Sequence, residues 1–338
     1  MGGAESLVMP FVRGIDRDRY DLFICCLTTI GDNVNARDLD VVNLGARNLR
    51  DVRAFRRLLR FIRENRIDLI HAHLAYAATW AALASRITGV PSVATLHVAP
   101  PGGGMSRVRD RLMRFALRRW SSAVIAVSDA LRRQYGDRFV VAHNGIEVDR
   151  FAGSREESRE LLARELGIPR DAKIVATVSV LREGKGVEVL LRAFEQIDDA
   201  WLLIIGDGPK REEWQSLANN RRIRWAGFRR DVNELLPGCD LFVLASFEDA
   251  FPTVLLEAMA AGLPVVASRV GGIPEITQEV LVPPGDAAAL ANAMRALLED
   301  DERRRAMGET ARLRSREQFS TEAWIARLEE IYTRVLRS

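Results

Sequence analysis

Apolar residues along the chain form short continuous runs, each followed by a turn and a longer stretch with helical periodicity. Such runs predict strands buried on both faces, because a strand with one wet face would alternate apolar and polar residues. In the first half the runs are at residues 20–27, 67–71, 91–96, 122–127 and 139–141, with helical patterns such as 49–65 and 107–119. In the second half they are at residues 173–180, 201–205, 223–225, 239–245, 264–268 and 280–282, with helices predicted at 187–196, 209–219, 252–261, 287–298 and 302–318. Strands alternating with helices at this spacing predict an α/β fold with parallel sheets.

The chain is long enough for two domains, since 338 residues exceed what one hydrophobic core usually serves. A polar stretch at residues 144–171 separates the two halves and begins with the turn signal Asn144-Gly145. We therefore predict two doubly wound, Rossmann-like domains facing a cleft, at residues 1–150 and 151–319. The final helix, 320–338, is expected to return to the first domain.

The chain opens on Gly2-Gly3-Ala4-Glu5, which is typical of a loop and first helical turn that follow a strand. No strand pattern precedes these residues. The first domain is therefore expected to lack its opening strand, either because translation starts here or because the sequence is truncated.

Composition excludes several classes of protein. A hydrophobic content of 48% and a charged content of 28% are ordinary for an ordered globular protein. The net charge of +3 gives little support for a nucleic-acid partner. Three cysteines without metal-ligand spacing suit a reduced, cytoplasmic compartment, and no apolar run reaches the length of a membrane span. The protein is expected in the cytoplasm, with association at the inner face of the membrane left open.

Residues 107–120 (RVRDRLMRFALRRW) form a basic amphipathic helical pattern. Such a helix can lie on an anionic membrane surface, or it can pack Leu112, Phe115 and Ala116 on the sheet and leave its arginines in water. Packing is the favoured interpretation, and peripheral contact with an anionic membrane is the alternative.

Polar residues and glycines collect directly after the predicted strands. His97 follows one strand of the first half, while Lys185, Gly206-Asp207-Gly208, Asp249 and Gly271-Gly272 follow strands of the second half. The carboxyl ends of parallel strands share one edge of a sheet, and ligands of doubly wound sheets bind beyond that edge. The pattern therefore predicts a binding site at this edge.

The stretch 247–268 (FEDAFPTVLLEAMAAGLPVVAS) is almost wholly apolar apart from its first three residues, yet it contains Glu257. A carboxylate buried without a partner is unfavourable by several kcal/mol, so Glu257 needs water or a partner. On a helix that starts near Pro252, free amides of Thr253 and Val254 would favour a pyrophosphate, and Glu257 could accept two ribose hydroxyls. An interaction with the helix terminus or with an arginine accounts for Glu257 equally well.

Other candidates are weak when taken alone. Lys185 lies in a glycine-flanked loop that suits a phosphate but does not fit the Walker pattern, and a solvated turn explains such a loop as well. A single histidine such as His97 is more often merely hydrogen-bonded in place than catalytic. His71 and His73 lack a third metal ligand, and no metal site is predicted.

Taken together, these stretches resemble the retaining glycosyltransferases of family 4, which have the two-domain GT-B fold. The resemblance covers nearly the whole chain, and the order and spacing of its motifs are specific although each motif alone is not. It is carried by GGAE at the start, TLH ending at His97, NGI at 144–146, the Lys185-Gly186 loop, GDGP at 206–209, and the stretch 247–268 followed by VGGIPE.

The resemblance implies a metal-independent enzyme that transfers a sugar from a nucleotide diphosphate donor, UDP- or GDP-linked, with retention at the anomeric carbon. No cofactor is implied. The acceptor would be a glycan, a lipid-linked glycan or a small molecule. The first domain would bind the acceptor and the second domain the donor.

The family's motifs assign roles to residues that match them. Glu257 matches the second acid of the Glu-x7-Glu motif and would hold the ribose. Asp249 matches the first acid, where the family usually has the longer glutamate, and would contact the donor sugar. Lys185 would neutralise the pyrophosphate, and Arg182 would replace an arginine that the family usually has at the position of Val180. The remaining assignments are His97 at the reaction centre, Gly2 and Gly3 in the loop facing phosphates and acceptor, and Phe251, Pro252, Thr253 and Val254 at the donor.

Two other functions share the fold. A nucleotide-sugar epimerase would use additional acids and histidines around the sugar, whereas this chain has four histidines. A non-catalytic sugar-nucleotide-binding protein is the second alternative, favoured by the departures at Asp249 and Val180.

Overall fold

A computed structural model describes residues 7–28, 41–48, 50–97, 106–136, 139–218 and 220–337, with the backbone alone at 106–110. The chain forms two compact units. The first consists of Met1–Asn144 with Thr321–Ser338, and the second is Gly145–Ser320. Gly2 and Gly3, and the position of the predicted missing strand, lie outside the described residues. Within these ranges, the helices are too short or too polar to span a bilayer.

The first unit contains two parallel sheets. Strands β1 and β2 pair with each other, and a second sheet has the order β3-β4-β5-β6. The strands are β1 (Ile24–Cys26), β2 (Val41–Asn43), β3 (Ile70–His73), β4 (Ser92–Leu96), β5 (Ala123–Ala126) and β6 (Val140–Val141). The helices are α1 (Val8–Gly14), α2 (Val52–Glu64), α3 (Ala75–Thr88), α4 (Ser106–Trp120), α5 (Asp129–Tyr135) and, at the end of the chain, α14 (Thr321–Leu336).

The core of the first unit joins the start and the end of the chain to the four-stranded sheet. Leu7 and Ile15 pack in one cluster with Val93, Ile125 and Trp324. This burial of apolar surface holds α14 in the first unit. A cavity of about 2350 Å³, with mainly apolar walls, is lined by residues of both β1 and β3.

The second unit has one six-stranded parallel sheet with the order β12-β11-β10-β7-β8-β9. Its strands are β7 (Lys173–Val178), β8 (Ala200–Ile205), β9 (Ile223–Gly227), β10 (Leu241–Leu244), β11 (Val265–Ser268) and β12 (Leu281–Val282). Its helices are α6 (Arg155–Leu166), α7 (Val187–Phe194), α8 (Arg211–Leu217), α9 (Val232–Leu235), α10 (Thr253–Ala260), α11 (Ile273–Ile276), α12 (Ala287–Leu298) and α13 (Asp301–Phe319).

The strand order of the second sheet reverses between β7 and β10. The chain proceeds outward from β7 to β9 on one side, then returns to place β10 on the other side of β7. A reversal of this kind opens a crevice between the loops that follow the two strands, and ligands of open α/β sheets bind there. The loop after β7 contains Lys185, and the loop after β10 contains Asp249.

The predicted α/β class with two parallel-sheet units is confirmed. The unit boundary lies between Asn144 and Gly145, whereas the polar stretch suggested a boundary at 150–151. The predicted strand at 20–27 is shorter, Ile24–Cys26, and the strand Val41–Asn43 was not predicted. Two adjacent valines in a polar segment give too little periodicity to indicate a strand.

The favoured packing of the basic helix α4 was wrong for two of its three residues. Ala116 is buried together with Met113 and Leu117, but Leu112 is 65% exposed and Phe115 is 57% exposed. The helix therefore uses a neighbouring face for its core contacts and presents Leu112 and Phe115 to solvent.

Candidate active site

The loops after β7 and β10 are joined directly to each other in the second unit. The amide of Phe247 donates a hydrogen bond of 2.9 Å to the carbonyl of Gly184. Gly186 has φ of +67°, and a Cβ there would lie 1.9 Å from the Ala245 carbonyl oxygen. The close approach requires glycine at position 186, and it fixes Lys185 beside the loop that contains Asp249.

Lys185 and Asp249 form an ion pair across this junction. The distance from Lys185 Nζ to Asp249 Oδ2 is 2.6 Å, and the two side chains are 18% and 15% exposed. A pair this short and this protected from water is a charge-assisted hydrogen bond. It holds the ammonium group at the point where the sheet order reverses.

The backbone of Asp249 is held in turn by the Gly271-Gly272 turn after β11. The Gly272 amide donates to the Asp249 carbonyl at 3.1 Å. A Cβ on Gly271, where φ is +50°, would lie 1.7 Å from that oxygen. Only glycine, without a side chain, permits so close an approach at position 271. The group that approaches is the loop of Asp249.

Helix α10 starts beside this loop. Pro252 is its N-cap, with φ of −73° and ψ of 111°, so it precedes the helix instead of occupying the predicted first helical position. No side chain caps this end of the helix among the described residues. Thr253 and Val254 form the first turn, where backbone amides point out of the helix and favour an anion.

Phe251 is buried, and its ring lies 5.8 Å from that of Phe319 at an angle of 62°. Its side chain therefore packs inside the second unit and anchors the loop before α10.

Glu257 lies in the second turn of α10 and is partly buried. Burial raises the pKa of its carboxyl group to about 7, and the positive charge of Arg150 offsets part of that rise. Among the described residues, no side chain forms a hydrogen bond or ion pair with this carboxylate, and Arg150 itself binds Glu147 at 3.3 Å. Within the described part of the chain Glu257 therefore forms no direct ion pair, although the charge of Arg150 acts on its carboxylate, as the alternative interpretation with an arginine expected.

The raised pKa of Glu257 predicts how a Glu257→Gln variant changes stability with pH. The folded-state pKa of about 7 exceeds the ordinary value of 4.5, so stability of the natural protein falls as pH rises between these values. Glutamine has no charge to desolvate. We expect the variant to be more stable by about 1–3 kcal/mol at pH 8 and equal to the natural protein below pH of about 4.5, as measured by chemical unfolding. A constant difference across pH would contradict the burial of a charge at this site.

Arg182 lies in the same turn as Lys185 and is exposed. Its Nη1 donates to the Glu183 carbonyl at 3.0 Å, and the Lys185 amide donates to the Arg182 carbonyl at 3.3 Å. The structure thus brings Arg182 next to Lys185 in the chain turn, but its guanidinium group is not fixed toward Asp249 by any contact within the described loops.

His97 belongs to the first unit and directly follows β4. Burial and the neighbouring His73 lower the pKa of His97 to about 3, so the ring is neutral at physiological pH. A neutral imidazole can donate one hydrogen bond and accept another.

Two neighbours of the candidate residues were not predicted from the sequence. Arg150, in a 3-10 helix at Val148–Phe151, lies near Glu257 although the two residues are far apart in sequence. His73 contacts His97 and was considered only as a metal ligand. The spacing of His71, His73 and His97 at the ends of two adjacent strands was the available signal for the second contact.

Comparison with known proteins gives matches over both halves of the chain. Residues 158–314 match the family described as Glycosyl transferases group 1, and residues 1–150 match Glycosyltransferase Family 4. The N-acetyl-alpha-D-glucosaminyl L-malate synthase of Bacillus anthracis is 36% identical over 296 residues, covering 81% of this chain and 76% of that protein.

Two further matches agree with these. The alpha-maltose-1-phosphate synthase of Mycolicibacterium smegmatis is 32% identical, covering 79% of each chain. The crystal structure of Anabaena HepE in complex with UDP has a TM-score of 0.87 at 24% identity, covering 98% of this chain and 96% of that one. This structural match shows that the chain shares the fold of HepE.

Proposed function

Since the chain belongs to glycosyltransferase family 4, the glycosyl transferases group 1, we propose that it transfers a sugar from a UDP-linked donor with retention at the anomeric carbon. The donor is bound by the second unit and the acceptor by the first. The reaction needs no metal ion, because Lys185 and the start of α10 supply the positive charge that the diphosphate requires.

The observation that supports this proposal most is the convergence of three features where the sheet order reverses. Lys185 lies at 2.6 Å from Asp249 in the joined loops after β7 and β10. The uncapped start of α10 follows the second loop, and Glu257 lies one turn further with its carboxylate unpartnered among the described residues. A cation, a row of amides and a carboxylate in this order suit a diphosphate followed by a ribose.

The proposed reaction proceeds without a protein nucleophile. The bond between the anomeric carbon and the β-phosphate oxygen breaks, and its electron pair stays on the diphosphate. Lys185 and the amides of Thr253 and Val254 stabilise this charge as it develops. The acceptor hydroxyl attacks the oxocarbenium-like carbon on the face that the diphosphate leaves, and its proton passes to a diphosphate oxygen. The new glycosidic bond therefore keeps the original configuration.

Asp249 and His97 are proposed to act at the donor sugar. When the diphosphate replaces Asp249 as the partner of Lys185, Asp249 accepts a hydrogen bond from a sugar hydroxyl. His97 contributes a neutral ring nitrogen from the first unit. Arg182, on the turn of Lys185, can add charge to the diphosphate site because its side chain is exposed.

A uridine nucleotide is the proposed donor base because Anabaena HepE, which shares the fold, binds UDP. A GDP-linked sugar is the alternative. The names of the relatives state different products, an N-acetyl-alpha-D-glucosaminyl L-malate in one case and alpha-maltose-1-phosphate in another. In the first unit, the apolar cavity beside β1 and β3 would offer space for an acceptor that has an apolar part.

A donor screen tests this proposal. Thermal unfolding is measured with UDP, GDP, ADP and their sugar derivatives, since a ligand raises the unfolding temperature in proportion to the logarithm of its concentration over Kd. We expect stabilisation by UDP and its sugars, and release of UDP from the sugar nucleotide when an acceptor is supplied. Sugar conversion without an acceptor would identify an epimerase, and binding without turnover for any acceptor would identify a binding protein.

Replacing Asp249 by asparagine should separate binding from transfer. The variant removes the carboxylate that pairs with Lys185 but keeps its shape, so the ammonium is no longer neutralised before the donor arrives. We expect UDP to bind equally or more tightly, while kcat falls about 10- to 100-fold through the loss of a charge-assisted hydrogen bond to the sugar. Calorimetry measures the UDP affinity, and steady-state kinetics measure kcat. A fall in UDP affinity with unchanged kcat would contradict both expectations.

The exposed face of α4 supports a proposal of peripheral contact with anionic membrane. Leu112 and Phe115 are largely exposed, and Arg111 and Arg119 are exposed on the same side of the helix. Apolar side chains flanked by arginines favour the interface of an anionic bilayer. The contact would place the protein at the cytoplasmic face of the membrane.

Vesicle binding tests this contact. The Leu112→Ser/Phe115→Ser double variant should lose about tenfold or more in affinity for vesicles containing phosphatidylglycerol, through two lost apolar insertions. The control Leu313→Ser changes a residue of similar exposure, 56%, on α13 and should bind as the natural protein does. Equal binding of all three proteins would rule out α4 as the contact.

A further inference from the structure

Three histidines of the first unit lie side by side at the ends of two paired strands. In the parallel register of β3 and β4, His71 is paired with Val93 and His73 with Thr95. Side chains two residues apart on a strand point to the same face, so His71 and His73 share a face with Thr95 and His97. The spacing of two residues on each strand therefore produces the cluster.

The contacts divide the cluster into two hydrogen-bonded sets. His73 Nδ1 lies 3.0 Å from His97 Nε2, and the two rings are nearly parallel, with an angle of 23° between them. His71 binds Tyr332 on α14 through Nδ1 at 2.5 Å and Thr95 through Nε2 at 2.8 Å. The ring of His71 lies 4.4 Å from that of His73 and limits its movement.

A hydrogen bond between two imidazole nitrogens contains one proton, so one ring donates and the other accepts. Burial lowers the pKa of His73 to about 4 and that of His97 to about 3, and both rings are neutral at physiological pH. In a neutral imidazole, the bond made by one nitrogen decides the state of the other. Nε2 of His97 is engaged by His73, which leaves Nδ1 as the nitrogen that can meet a ligand.

We propose that His73 is a positioning residue that fixes the ring orientation and the tautomer of His97. This inference rests on the proposed role of His97 in sugar transfer. The tilted ring of His71 packs against His73, and its own nitrogens bind Tyr332 and Thr95, so His71 does not compete for the hydrogen bond between His73 and His97. The cluster thereby presents a single nitrogen of His97 in one protonation state, which removes the need to orient the ring when the donor binds.

Two substitutions at position 73 test the proposal. His73→Leu removes the hydrogen bond, and His73→Asn keeps a short polar group in place of Nδ1. We expect kcat to fall about 10- to 100-fold in His73→Leu with the KM for the donor within about twofold, and to recover largely in His73→Asn. A change in KM alone, or equal loss in both variants, would overturn the proposal.

Ring nitrogen spectra supply a readout that does not depend on activity. The chain has four histidines, so the signals of each ring can be assigned in ¹⁵N-histidine-labelled protein. His97 should show a single tautomer in the natural protein and an averaged pattern in His73→Leu. The control Tyr332→Phe removes the bond to His71 and should leave the His97 pattern unchanged, whereas an unchanged His97 pattern in His73→Leu would overturn the inference.

The two proposals fail in different ways. If His97→Ala retains normal transfer, the role of His97 is wrong even when the ring spectra show the fixed tautomer. If His97→Ala is inactive but His73→Leu is not, His97 acts without help from His73.

Discussion

Replacing Lys185 by alanine is expected to lower the rate of sugar transfer by about 10²–10³-fold. The ammonium group is placed where the sheet order reverses, next to the start of α10, and it would stabilise charge that develops on the leaving diphosphate. Because this charge is greater in the transition state than in the bound donor, the loss should fall mainly on kcat. Steady-state kinetics with a sugar nucleotide and its acceptor measure it.

The chain offers a matched control for this substitution. It contains three lysines, and Lys173 lies at the beginning of β7, whereas Lys185 follows the end of that strand. Lys173→Ala should leave kcat unchanged, and Lys185→Arg should retain part of the activity because the charge is kept. Near-normal turnover in Lys185→Ala would refute the assignment of the diphosphate to this loop.

Replacing Glu257 by alanine is expected to weaken UDP binding by about 10²-fold or more. Two ribose hydroxyls that donate to one carboxylate form charge-assisted hydrogen bonds, each worth about 1.5–3 kcal/mol. The pKa of about 7 adds a pH dependence, because hydroxyls donate best to the ionised form. Affinity in the natural protein should therefore rise between pH 6 and about pH 8, and this rise should be absent from Glu257→Ala.

A double cycle isolates the contact between Glu257 and the ribose. UDP and its 2′,3′-dideoxy analogue are titrated into the natural protein and into Glu257→Ala by calorimetry. Removal of the hydroxyls should weaken binding to the natural protein but have little further effect on the variant. Independent, additive losses would mean that Glu257 affects binding without contacting the ribose.

The elements around the proposed donor site could be predicted from the sequence because they are locally encoded. The strands before Lys185 and Asp249 are continuous apolar runs, and Pro252 signals the start of α10. Positive φ at Gly186 and Gly271 follows from the same loops. In each case the residue types that fold the loop also form the site, so a local pattern was sufficient.

Contacts between distant segments were not available from such patterns. The approach of Arg150 to Glu257 and the pairing of Lys185 with Asp249 depend on which strands are neighbours, and periodicity does not give strand order. The prediction of which face of α4 meets the core was also wrong, because Leu112 and Phe115 are as apolar as the buried Met113 and Leu117. Amphipathic patterns with two apolar sides do not determine which side packs.

The hydrogen bond between His73 and His97 depends on strand register, which local patterns do not give. Strand register places both residues on one face, and register was not predicted for β3 and β4. Knowledge of the register alone would have indicated the contact, because side chains alternate strictly along each strand.

A crystal structure of the protein with UDP tests the central assignment most directly. We expect both ribose hydroxyls within about 3 Å of the Glu257 carboxylate, and the diphosphate between Lys185 Nζ and the first amides of α10. UDP bound away from α10, with Glu257 and Lys185 in contact with neither the ribose nor the diphosphate, would contradict it.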